Sequence, residues 1–178
     1  MAALAEGGLF LSLLAASIAA QSGNVFSMVE NLQSIPFQAY LPLLVAFGAF
    51  FIALLAENSR FPVDNPATHL ELTMIHEAMI LEYSGKRLAL MEWASFSKLV
   101  IFVALGANIF FPWGVATSMT PSALILSIPL FVCKALLFLF AIAFIESTMA
   151  KFRIFRVPDL LFTSFVLSVI SLVIIITF

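Results

Sequence analysis

Ionisable side chains concentrate in one stretch of this chain, from Glu57 to Glu92. It holds six of the ten carboxylates (Glu57, Asp64, Glu71, Glu77, Glu82, Glu92), both histidines (His69, His76) and the basic residues Arg60, Lys86 and Arg87. Glu71 and Glu82 are eleven residues apart, about three turns, so on a helix they share one face; His69 and His76, seven apart, share another. Carboxylates at that spacing can pass protons when held partly out of water. Beside a membrane they must pair with cations, protonate or face water. The residues alone leave two readings open: a solvated loop whose acids simply face water, and a proton-handling segment. Metal chemistry has less behind it, because His76-Glu77 lacks the following histidine of a zinc protease motif and no cysteine is near. No spacing of nucleophile, base and acid points to covalent catalysis.

The elements around this stretch are hydrophobic. The chain has 178 residues, of which 63% are hydrophobic and 10% charged, with a mean hydropathy of +1.14. Those values place it among membrane proteins. A net charge of −2 without any basic run gives no footing for nucleic-acid binding. A single cysteine, Cys133, excludes an internal disulfide and a cysteine-ligated cluster, and is read as a packing residue. The apolar start lacks the charged leader of a signal peptide.

About 20 apolar residues cross a bilayer, and five stretches qualify: about 2–20, 39–56, 94–113, 122–145 and 160–178. The expected fold is therefore an all-α polytopic bundle in a single membrane domain over 1–178, with a long polar loop over 57–93. Gln21 to Gln38 is expected to be a loop with a short surface helix. Within the polar loop, Arg60-Phe61-Pro62-Val63-Asp64-Asn65-Pro66 carries two prolines and should leave the membrane as a turn. A helix is expected from Ala67 to Tyr83, closed at Ser84-Gly85. The loops over 21–38 and 114–121 contain no Lys or Arg, whereas 57–94 and 146–159 contain six between them, so the positive-inside rule puts the latter two in the cytoplasm.

Three ionisable residues fall within or beside the spans. Lys134 lies inside the fourth, where a cation needs a partner: a backbone carbonyl, a carboxylate from another helix, or a proton path. Glu6 sits near the start of the first span, and Glu146 ends the fourth as an interfacial residue.

The stretches Ala56-Glu57-Asn58-Ser59-Arg60-Phe61-Pro62-Val63-Asp64, Leu70-Glu71-Leu72 and Glu82-Tyr83-Ser84-Gly85 resemble the signature of the quinone-site membrane subunit of respiratory complex I. Asn65-Pro66-Ala67-Thr68-His69, Thr73 to Leu81, Phe111-Pro112-Trp113-Gly114 and Glu146-Ser147-Thr148-Met149-Ala150-Lys151 are closer to its relatives in the group 4 nickel-iron hydrogenases, of the formate hydrogenlyase, hydrogenase-4 and energy-converting types. The resemblance covers essentially the whole chain and is that of an N-terminally truncated copy, the family's earlier spans lying upstream of Met1. It implies a non-catalytic subunit that joins a peripheral redox arm to an ion-pumping membrane arm in the inner (cytoplasmic) membrane. Its partners would be hydrogenase large and small subunits and antiporter-like membrane subunits. The nickel-iron centre and iron–sulfur clusters would reside in those partners, with none in this chain. It further implies that Glu6, Glu57, Asp64, Glu71, Glu82 and Lys134 serve proton or sodium coupling, and that Arg60, Tyr83 and Arg87 shape the loop and meet the partner subunits. The alternative is the quinone-binding subunit of an NADH:quinone oxidoreductase.

Overall fold

The structure, a computed structural model, describes residues 2–36, 40–58, 60, 82–116, 120–148 and 157–177. Among them are six helices and no strand: α1 (Ala2–Ala19), α2 (Val25–Gln33), α3 (Tyr40–Glu57), α4 (Lys86–Ile109), α5 (Pro121–Thr148) and α6 (Val157–Thr177). The fold is the all-α bundle expected. Four of these helices (α3, α4, α5 and Pro158–Thr177 of α6) are long and apolar enough to cross a membrane, and α1 adds a shorter apolar helix over Ala5–Ala19.

Local sequence explains most of the boundaries. Asn24 caps α2, its side-chain oxygen accepting from the Phe26 amide at 3.0 Å. Proline opens α5 at Pro121 and lies in the first turn of α6 at Pro158, where the missing N–H has no ladder partner to lose. α4 departs from the span expected over 94–113. It begins eight residues earlier, at Lys86, because Lys-Arg-Leu-Ala-Leu-Met-Glu are all strong helix formers whatever their polarity. It ends at Ile109, because Pro112 pushes the residue before it out of the helical region. Gly85, expected to close a preceding helix, is the N-cap of α4, with φ +58° and no side-chain capping bond.

The helices pack through small residues. α1, α3 and α6 form one tight trio. Ser12 of α1, Ala46, Ala49 and Ala53 of α3, and Ser164, Ser168 and Ser171 of α6 are fully buried in it. A Cβ added at Gly8 would lie 2.6 Å from the Ser164 hydroxyl. Lipid offers no hydrophobic drive between helices, so close approach and interhelical hydrogen bonds supply the attraction. Ser164 donates to the Ala49 carbonyl at 2.8 Å and Ser171 to the Pro42 carbonyl at 2.7 Å. α4 and α5 pair beside the trio. They join it through an aromatic cluster in which Phe47 meets Phe110, Phe111 and Phe138 at ring-centroid distances of 5.6, 5.0 and 5.6 Å. Gly106 makes room for it, since a Cβ there would lie 2.7 Å from the Phe50 ring and 2.9 Å from that of Phe138.

Candidate functional site

The antiparallel order of the helices gathers the C-termini of α3 and α5 and the N-termini of α1 and α6 at one end of the bundle. Ala5, Ala56 and Leu161 pack together there. This end carries Glu6, Glu57, Arg60, Lys98, Glu146 and Asp159. Glu57, the last residue of α3, receives the Lys98 ammonium on its carboxylate at 2.7 Å and on its own backbone carbonyl at 2.8 Å. The carboxylate is the more sheltered partner, at 15% exposure against 45% for the lysine side chain. Lys98 also lies over the Phe102 ring, one turn along α4, at 5.8 Å. Arg60, just beyond α3, approaches the Glu146 carboxylate of α5 at 3.6 Å. The two pairs thus tie the end of α3 to α4 on one side and to α5 on the other, at the point where the polar loop leaves the bundle. Between them Asn58 donates to the Leu54 carbonyl at 2.9 Å, and its side-chain oxygen is buried with no partner among the described residues.

Glu6 belongs to the same end, next to Ala5, and is exposed on α1 without an ion pair among the described residues. Glu82, Tyr83 and Arg87 stand apart from it. They line, with Ser84 and Lys86, an open cavity of about 450 Å³ at the start of α4. α4 projects well past the α3 terminus here, and nearly all of Lys86 to Phe96 is exposed. Glu82 itself is in a turn and Tyr83 in no regular structure, so the helix expected over 67–83 does not include them. The rest of that helix, with Asp64, Glu71, Glu77 and both histidines, lies outside the described residues. Lys134 has no carboxylate partner among the described residues: near the midpoint of α5, it donates to the Phe111 carbonyl at 2.9 Å. Among the described residues no cluster of three or more His, Cys, Asp or Glu side chains could hold a metal ion.

Sequence reasoning did not single out Lys98 and Glu146 as partners of the loop root. The signal was available: Lys98 lies near the start of the apolar run that follows the polar loop, and Glu146 ends the run that leads into 146–159, the other stretch placed on the same side. Gln33, which donates to the Pro112 and Val115 carbonyls at 3.0 and 3.3 Å, had no such signal.

Apolar helices of spanning length and small-residue packing define a multi-pass membrane protein. The particular family follows from comparison: the chain belongs to the NADH dehydrogenase family, whose model matches residues 1–177. Among curated proteins it is similar to formate hydrogenlyase subunit 4 of Escherichia coli (strain K12), 27% identical over 162 residues, covering 91% of this chain and 52% of that protein. It is also similar to hydrogenase-4 component C of the same organism, 28% identical over 168 residues, covering 94% and 52%. An NADH-quinone oxidoreductase subunit of Wolbachia sp. subsp. Brugia malayi (strain TRS) is 30% identical over 148 residues, covering 80% and 42%. The chain therefore spans about half the length, or less, of these relatives, each of which is named as a subunit or component of a larger assembly.

Proposed function

We propose that this chain is the membrane subunit of a hydrogenase complex that anchors the peripheral redox arm and couples hydrogen evolution to proton or sodium translocation. The observation that carries this reading is the similarity to two hydrogenase membrane subunits over more than nine-tenths of the chain. The anchored loop root supports it, because a rigid base lets a conformational or charge change in the loop reach α3, α4 and α5 together. The complex sits in the inner membrane with loop 57–93 in the cytoplasm. Hydrogenase large and small subunits bind over that loop and antiporter-like subunits beside the helices. The nickel-iron centre and iron–sulfur clusters belong to those partners. In this reading Glu57, Asp64, Glu71 and Glu82 handle the transferred charge in the loop, Arg60, Tyr83 and Arg87 shape the loop, and Glu6 and Lys134 are the candidates for the relay along the helices.

The test is purification of the complex carrying this chain in mild detergent, with hydrogen evolution assayed from a reduced low-potential donor. Hydrogen evolution with nickel present supports the proposal. Quinone reduction without nickel moves the chain to the second reading, the quinone-binding subunit of an NADH:quinone oxidoreductase, which the similarity to the Wolbachia protein favours. Within the first reading, Glu82→Gln is expected to lower hydrogen evolution or uncouple it from ion movement while the complex still assembles. Unchanged rates of both would remove Glu82 from the path.

A further inference from the structure

The end of α4 has an unusual setting. Lys134 lies halfway along α5, and the α5 residues before it, Ile125, Leu126 and Ile128, are apolar and more than 60% exposed, so this half of α5 belongs in hydrocarbon. Lys134 bonds directly to the Phe111 carbonyl, so the end of α4 lies within reach of a lysine side chain from the middle of that span. From Phe111 the chain continues without helix. Non-helical backbone at membrane depth is tolerated only where protein satisfies its polar groups. The last carbonyls of any helix have no partner in their own ladder and carry the negative end of its dipole.

Three of the carbonyls of this segment are satisfied by side chains. Lys134 brings a cation to the negative end of α4 and donates to Phe111, while Gln33 of α2 donates to Pro112 and Val115. Gly114, at φ +77°, lets the segment lie directly on α5, where a Cβ would come within 2.8 Å of Leu130, one turn before Lys134. Stacking of Trp113 on Tyr40, ring centroids 5.9 Å apart, holds the opposite side to α3.

We infer that Lys134 is a positioning residue: its ammonium is the built-in cap of α4, and with Gln33 it pins the non-helical segment Phe111–Val115 between α5 and α2. This role is independent of the coupling reading above and needs a cation at position 134, not a titrating amine.

The experiment compares amide hydrogen exchange over residues 110–116 in the intact complex, in nanodiscs, for the native chain, Lys134→Met, Lys134→Arg and Gln33→Leu. Lys134→Met is expected to speed exchange in this segment about ten-fold or more, the loss of one charge-assisted hydrogen bond. Exchange in 98–106 should stay as it was. Lys134→Arg, which keeps the cation and its donors, is expected to restore native exchange over 110–116. Gln33→Leu should loosen the same segment and leave the rest, which keeps the test alive if Lys134→Met does not assemble. Native exchange in either Lys134→Met or Gln33→Leu overturns the inference. So does a Lys134→Arg complex whose segment exchanges as fast as that of Lys134→Met.

Discussion

Glu57 and Lys98 form a close pair, but their energetic weight is modest. The lysine side chain is 45% exposed, and solvent screening of such a pair leaves about 1 kcal/mol or less. A double-mutant cycle of Glu57→Gln and Lys98→Gln, read as thermal stability of the complex, should give a coupling of that size. A much larger coupling would mean that the pair is desolvated by a partner in the assembly. Arg60 and Glu146, at 3.6 Å and each about one-third exposed, should give less still. The value of these pairs is in fixing the direction in which the loop departs. Gly106 is the more sensitive residue. Gly106→Ala would drive a methyl into the Phe50 and Phe138 rings and should cost about 1–3 kcal/mol by overpacking, measured as a lower unfolding midpoint in detergent. A neutral result would show that the aromatic cluster can shift as a unit.

Among the elements, α6 shows how polar residues work inside an apolar bundle. Its buried serines recur at spacings of four and three, which is one helical face, and two of them reach across to carbonyls of α3. Ser164→Ala should therefore cost roughly 0.6 kcal/mol, the average for such bonds in membranes, and at most about 1.7. Gly8→Ala should cost more, because its new methyl displaces the Ser164 hydroxyl from Ala49. The two changes are then non-additive: in a Ser164→Ala background the Gly8→Ala penalty should shrink, and equal penalties in both backgrounds would argue against the contact. Much of this layer was legible in the sequence. The apolar runs marked the helices. The α4 boundaries were less so, because hydropathy locates the part of a helix that sits in lipid, whereas the helix itself continues wherever its residues favour it.

At the scale of the whole molecule, the placement of Lys and Arg, six in the loops over 57–94 and 146–159 and none in those over 21–38 and 114–121, sets the expected orientation. Ser84, at the start of α4, and Ser22, between α1 and α2, should be on opposite sides of the membrane. In a Cys133→Ala background, Ser84→Cys should react with an impermeant thiol reagent only from the cytoplasmic face and Ser22→Cys only from the other. The reverse pattern would invert the topology and remove the loop from the redox arm. The broad exposed apolar surface of α4 and α5 is consistent with a chain that meets lipid and neighbouring helices on several sides.

The sequence by itself determined the membrane class, the all-helical fold and the polar stretch where ionisable residues gather. A bilayer demands long uninterrupted apolar runs and tolerates charge only between them, and both are local properties of the chain. It also raised the right question about Lys134, since a cation inside a span must have a partner. Only the tertiary structure decided what that partner is. The acceptor is the backbone carbonyl of Phe111, and every residue has a carbonyl, so no sequence pattern can point to the one that is used. The same holds for Gln33 on Pro112, and in milder form for Lys98 on Glu57, forty-one residues apart, where the charges were visible and their meeting depended on how α3 and α4 lie against each other.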